Sequence, residues 1–189
     1  MVSPVFIMVG SVDLDKVTPN TKWREVHSTV LHTNYSRYDL THQNDIAVLE
    51  FSPEITYNSD VKPVKFVKDD RTLLPWNDGI VTGFGTFKQL EKAIRSSQTV
   101  KYALEVPEKE PVRFDQLTLS KITVICQGDS GGPLHVVHKG ELYQIGLTSF
   151  GTANVSDMYR QNIYPSVFTR LSSHCSFITE ASDNLARCL

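Results

Sequence analysis

The 189-residue sequence contains no run approaching the roughly 20 apolar residues that a membrane-spanning helix needs, so no membrane span is expected. It has no excess of basic charge either. Nineteen Lys and Arg face 21 Asp and Glu, which removes the electrostatic case for nucleic acid or an anionic membrane surface as a partner. Cysteine is scarce and odd in number: Cys126, Cys175 and Cys188. Complete internal pairing is therefore excluded. Cys175 and Cys188 flank a short C-terminal segment and could bridge, which would leave Cys126 over. The apolar start, Val5 to Val9, has no basic residues before it and is shorter than a signal-peptide core, so it reads as a strand and not as an export signal. No ligand spacing suggests a metal or an organic cofactor. Two glycosylation sequons, Asn34-Tyr35-Ser36 and Asn154-Val155-Ser156, are present, but chance supplies such triplets often.

What the sequence has in quantity is short apolar runs rich in β-branched and aromatic residues, separated by turn residues. They fall at Val5–Val9, Val26–Leu31, Ile46–Phe51, Val61–Val67, Ile80–Phe84, Val100–Val106, Ile122–Ile125, Leu134–Val137, Leu142–Thr148 and Val167–Leu171. The unbroken Ile46-Ala47-Val48-Leu49 predicts a strand buried on both sides. Ser172 to Ala186 fits one helix with Ser172 or Ser173 as its N-cap. Two polar stretches, Thr86–Thr99 and Pro107–Lys121, interrupt the pattern, the first as a linker between two halves. The expectation is a mostly β chain, a sandwich or barrels, with a C-terminal helix.

The stretch Cys126-Gln127-Gly128-Asp129-Ser130-Gly131-Gly132-Pro133-Leu134 carries the chemistry. A serine hydroxyl attacks poorly at neutral pH unless a base takes its proton and donors hold the oxyanion that forms. Glycines permit a tight turn whose successive amides, those of Gly128 and Ser130, face one cavity. Upstream, Asp45 enters the Ile46–Leu49 strand, where a carboxylate requires a hydrogen-bonding partner. In a catalytic triad that partner is a histidine.

Five blocks in order, "NDIAVL", "VTGFGT", "GDSGGP", "TSFG" and "PSVFTRL", resemble the trypsin/chymotrypsin family of serine endopeptidases over nearly the whole chain. The resemblance implies an all-β fold of two antiparallel Greek-key barrels with a C-terminal helix, about 1–85 being the remainder of the first barrel, 86–171 the second, and 172–189 the helix. It implies a secreted protein with protein or peptide substrates and no cofactor. It makes Ser130 the nucleophile, Asp45 the triad aspartate, Gly128 and Ser130 the oxyanion donors and Asp129 the acid linked to activation. Val124, Ile125, Gln127, Ser149, Phe150, Gly151 and Ser166 become the substrate pocket. In trypsin the residue six before the nucleophile is an aspartate that binds Lys or Arg. Here it is Val124, and Ser166 replaces a glycine, so the pocket is expected to prefer a small or medium apolar side chain.

The family also implies a histidine block, "TAAHC", and an activation sequence, "IVGG", and neither occurs among these residues. None of His27, His32, His42, His135, His138 and His174 occupies the catalytic position, although His42 is placed to line a subsite. The first strands of the first barrel have no counterpart, which leaves strand edges exposed. Asp129 lacks the ammonium group that pairs with it in the family, so it is expected to cost several kcal/mol or to take up a proton. Cys126 lacks its family partner, and the Cys175/Cys188 spacing resembles trypsin-like proteins of nematodes. The expectation is a serine endopeptidase represented without its histidine segment. The alternative is a truncated paralogue that binds peptides, or inhibits a protease, without cutting.

Overall fold

The computed structural model describes residues 4–39, 41–74, 78–85, 98–103, 115–119, 128–152, 154, 157, 160 and 163–189, with 98–103 and 119 described by their backbone. The chain is mostly β. Strands β1 (Phe6–Val9), β2 (Lys22–Leu31) and β3 (Ala47–Ser52) form one antiparallel sheet in the order β1-β2-β3. Strands β4 (Asp78–Gly83), β5 (Gln98–Ala103), β6 (Gln116–Leu119), β7 (Pro133–His138), β8 (Glu141–Phe150) and β9 (Ser166–Arg170) form a second, in the order β5-β4-β7-β8-β9-β6. Strand β4 lies before the stretch read as a linker, yet it hydrogen-bonds β5 and β7 in the larger sheet. A 3₁₀ turn, Leu171–His174, leads into helix α1, Cys175–Ala181. No helix among the described residues is long and apolar enough to cross a membrane.

The core belongs to the larger sheet. Leu134, Val136, Ile145 and Phe168 are fully buried and pack with Leu73, Leu74, Val81 and Leu117. A second cluster joins Ile46, Leu171 and Ile178, which fastens α1 to the start of β3. The three-stranded sheet contributes no buried residue from its strands. Ile46 is buried as expected, but Leu49 is 44% exposed, so β3 is not covered on both sides. It is an edge strand, in which only Val48 and Phe51 are partly buried.

Three other expectations change. Val61–Val67 forms no strand: Pro63 removes a ladder donor, and pairing is limited to a single bridge between Lys65 and Tyr143. Strand β6 lies inside the polar stretch Pro107–Lys121. Neither Ser172 nor Ser173 caps α1. His174 holds the N-cap position, and the Ser172 hydroxyl donates to Asp70 Oδ2 at 2.9 Å. Ile122–Ile125 lies outside the described residues. Cys175 and Cys188 are joined in a disulfide that ties the C-terminal segment back onto α1.

Two half-buried histidines set an acid limit on this fold. Burial, together with the nearby His174, lowers the pKa of His32 below 6.5, and burial lowers that of His135. Both stay neutral in the folded protein at a pH where the unfolded chain already binds protons. The contribution of these two groups is therefore present well above pH 6.5 and is lost as the pH falls through that value. Asp69, held at about 2 chiefly by its hydrogen bond from Arg71, does not titrate in that window. Thermal melts at about pH 7.5 and about pH 5.5 are expected to give the lower Tm at the acid end, with a smaller drop in His135→Gln.

Candidate active site

The Gly128–Gly132 turn is closed by its own backbone. Gly132 N–H donates to the Asp129 carbonyl at 2.9 Å. Gly128 and Gly131 adopt φ of +102° and +78°, values that disfavour any residue with a side chain. Ser130, between the two glycines of the turn, is exposed. Neither its hydroxyl nor the amides of Gly128 and Ser130 hydrogen-bond another described residue.

Asp129 points away from solvent into the space beside β4. Gly85 N–H donates to its Oδ1 at 2.8 Å. The carboxylate thus accepts a backbone amide, and the expectation of an uncompensated acid does not hold in that form. The approach requires glycine on the other side: a Cβ on Gly83 would lie 2.0 Å from Asp129 Oδ1, and one on Gly85 2.6 Å from it. Gly85→Ala is expected to destabilise the protein by about 1–3 kcal/mol by overpacking, and to displace the Ser130 turn. Urea denaturation measures the first effect; a midpoint equal to that of the wild type would show that the contact yields freely.

Asp45 meets a serine. Ser149 Oγ donates to Asp45 Oδ2 at 2.7 Å, and Thr169 Oγ1 donates to the Asp45 carbonyl at 2.9 Å. The pairing of β8 with β9 shifts register between Thr148 and Phe150, which turns Ser149 out of the ladder and toward Asp45. Thr148, just before it, exchanges two 2.8 Å backbone hydrogen bonds with the Ser130 turn, accepting from Gly131 N–H and donating to the Gly132 carbonyl. A short path of bonded neighbours therefore runs from Ser130 through Gly131, Thr148 and Ser149 to Asp45. Thr148 Oγ1 itself is buried with no partner among the described residues.

The loop entering Asp45 is held from the larger sheet. Gln116 Nε2 donates to the Thr41 carbonyl at 2.7 Å. His174 is buried, and its Nδ1 lies 2.9 Å from the Arg170 carbonyl. A carbonyl only accepts, so Nδ1 carries the proton. Nε2 faces the Asn44 carboxamide at 3.3 Å. His42 and Asn44 both have positive φ, +44° and +55°, in this loop.

None of the six histidines hydrogen-bonds Asp45 or Ser130. His27 bonds Ser52, His32 packs on His174 and Phe177, and His42 packs on Phe150 with ring centroids 5.0 Å apart. Among the residues expected to form the pocket, Ser166 is buried and its Oγ lies 3.8 Å from where a Cβ on Gly151 would sit. Val124, Ile125, Gln127 and Cys126 lie outside the described residues. The roles of Ser149 toward Asp45, and of Asn44, His174 and Gln116 around it, carry no sequence signal, because each is defined by a partner far along the chain. An open cavity flanked by Lys68, Arg71, Arg170 and Leu189 includes none of Ser130, Asp45 or Ser149. Its Arg71 and Arg170 are paired with Asp69 and Asp70.

A family model described as Trypsin matches residues 3–178. Trypsin-1 of Astacus astacus is 29% identical over 182 residues, covering 91% of this chain and 73% of that protein. The clotting factor G beta subunit of Tachypleus tridentatus is 28% identical over 202 aligned residues, covering 93% of this chain and 60% of that protein. Chymotrypsin-like elastase family member 1 of Canis lupus familiaris is 28% identical over 185 residues, with 91% and 69% covered. The chain belongs to the trypsin family of serine proteases.

Proposed function

We propose that this chain carries the nucleophile, the triad aspartate and the oxyanion donors of a secreted serine endopeptidase, and that its general base is a histidine outside these 189 residues. The observation that carries the reading is the bonded path from Ser130 to Asp45 through Thr148 and Ser149. It fixes an exposed serine on a glycine turn relative to an acid that has a carboxylate to offer an imidazolium. In the reaction, the histidine takes the Ser130 proton as Oγ attacks the peptide carbonyl. Asp45 orients that histidine, and the Gly128 and Ser130 amides receive the oxyanion. The acyl-enzyme is then hydrolysed by water. Ser166, against Gly151, narrows the pocket and supports a small or medium apolar side chain at the cleavage site.

The disulfide between Cys175 and Cys188 supports an oxidising compartment. The second reading, a non-catalytic module that binds peptides or inhibits a protease, is favoured by the lack of a hydrogen bond from any of the six histidines to Asp45. Fluorophosphonate labelling of the protein from its source separates the two. Labelling that disappears in Ser130→Ala is the expected result; no labelling of the native protein would leave the binding module.

A further inference from the structure

The sequon Asn34-Tyr35-Ser36 takes no part in the chemistry above, and the fold presents it in a form suited to modification. It sits in a turn just after β2, closed by Tyr35 N–H donating to the His32 carbonyl at 3.0 Å. Asn34 and Ser36 are exposed, and the Asn34 carboxamide makes no hydrogen bond to another described residue. The turn is anchored from beneath by His32, whose ring lies 4.8 Å from that of Phe177 and 5.5 Å from that of His174. A bulky group on Asn34 would therefore displace no packing. Around it, Leu31 and Tyr38 are strongly exposed, so a hydrophilic cover has apolar surface to shield. In the second sequon Val155 and Ser156 lie outside the described residues.

We propose that Asn34 carries an N-linked oligosaccharide. The proposal rests on the reading of the chain as a secretory-pathway product, since the donor, a lipid pyrophosphate-linked oligosaccharide, is met there. Asn34 Nδ2 forms a bond to the anomeric carbon of the sugar, and the bond from that carbon to the pyrophosphate oxygen breaks. The lipid pyrophosphate leaves with the electron pair, and one Nδ2 proton passes to a base of the transferase. No redox change occurs.

The test uses the native protein, alkylated without reduction and digested with and without peptide N-glycosidase in isotopically heavy water. The expected result is a closed Cys175–Cys188 disulfide and an Asn34 peptide detected, deamidated and isotope-labelled, only after the glycosidase. In a eukaryotic secretory host, Asn34→Gln is expected to abolish the corresponding loss of mass. A closed disulfide with unmodified Asn34, or a glycan on Asn154 alone, overturns the glycosylation and leaves the secretory reading standing. Free thiols at Cys175 and Cys188 with unmodified Asn34 overturn both.

Discussion

Peptide hydrolysis by the 189-residue chain alone is expected to run about a million-fold slower than by a trypsin-family enzyme with a complete triad, the scale of loss when the base or nucleophile of a triad is removed. The exposed Ser130 hydroxyl has no hydrogen-bond partner among the described residues, and no histidine bonds Asp45. Deprotonating a serine without a base leaves the oxyanion donors and substrate binding to supply the remaining acceleration, on the order of 10³–10⁴ over water. Triad members act as a unit, so their losses do not add. Ser130→Ala in the isolated chain is accordingly expected to change its residual rate by less than about tenfold. Steady-state hydrolysis of activated peptide esters by both proteins measures this. A drop of several thousand-fold on Ser130→Ala would mean that one of the six histidines already serves as base. His42, in the loop that enters Asp45, would be the first to replace. On the proposed reading, a longer chain that supplies a histidine base is expected to show both hydrolysis and fluorophosphonate labelling, and with them the full sensitivity to Ser130→Ala.

Asp70→Asn is expected to cost about 3 kcal/mol of stability and to lower Tm by roughly 6–12 °C. Asp70 is 1% exposed and has no role in the proposed reaction. Its carboxylate accepts both Nε, at 2.8 Å, and Nη2 of Arg170, and the Ser172 hydroxyl at 2.9 Å. Its backbone carbonyl also accepts the Leu73 and Leu74 amides, which brings two core residues into place. The carboxamide keeps the shape but removes the charge, leaving the partly buried Arg170 guanidinium without its hydrogen-bonded anion and with only the longer-range field of Asp69. Breaking such a pair costs about 3–5 kcal/mol, and the low end applies because Arg170 retains a 20% exposed side chain. Replacing both partners by apolar residues, Asp70→Leu with Arg170→Met, is expected to recover much of the loss, since no charge is then stranded. Urea titration of the three proteins decides it. A midpoint for Asp70→Asn within error of wild type would show that water already compensates Arg170.

The strands that could be read from local pattern are those with dense β-branched and aromatic residues: Phe6–Val9, Lys22–Leu31, Ala47–Ser52, Asp78–Gly83, Gln98–Ala103, Pro133–His138, Glu141–Phe150 and Ser166–Arg170 each overlap an apolar run. Gln116–Leu119 could not, because it is an edge strand with one partner, β9, and shows little apolar content beyond Leu117 and Leu119. The exposure of Leu49 was equally hidden. An unbroken apolar run states what a strand is able to bury, while burial itself depends on what packs over it, and here Val48 and Phe51 are partly buried whereas Leu49 is left exposed. Ser172 illustrates the same limit. Serine before an apolar periodic segment suits an N-cap, but the nearby buried Asp70 offers its hydroxyl a charged acceptor.

The Gly128–Gly132 turn is a local feature, because glycine, acid and serine stand within a few residues of one another. Local pattern was sufficient for the family, whose blocks occur here in order. The pairings that position that turn belong to the folded chain: Ser149 with Asp45, Gly85 with Asp129, Arg170 with Asp70, separated by 104, 44 and 100 residues. No periodicity or motif spans such distances. They arise when the register of β8 on β9 turns Ser149 aside, when two glycines let Asp129 approach β4, and when a buried carboxylate draws the nearest guanidinium to it.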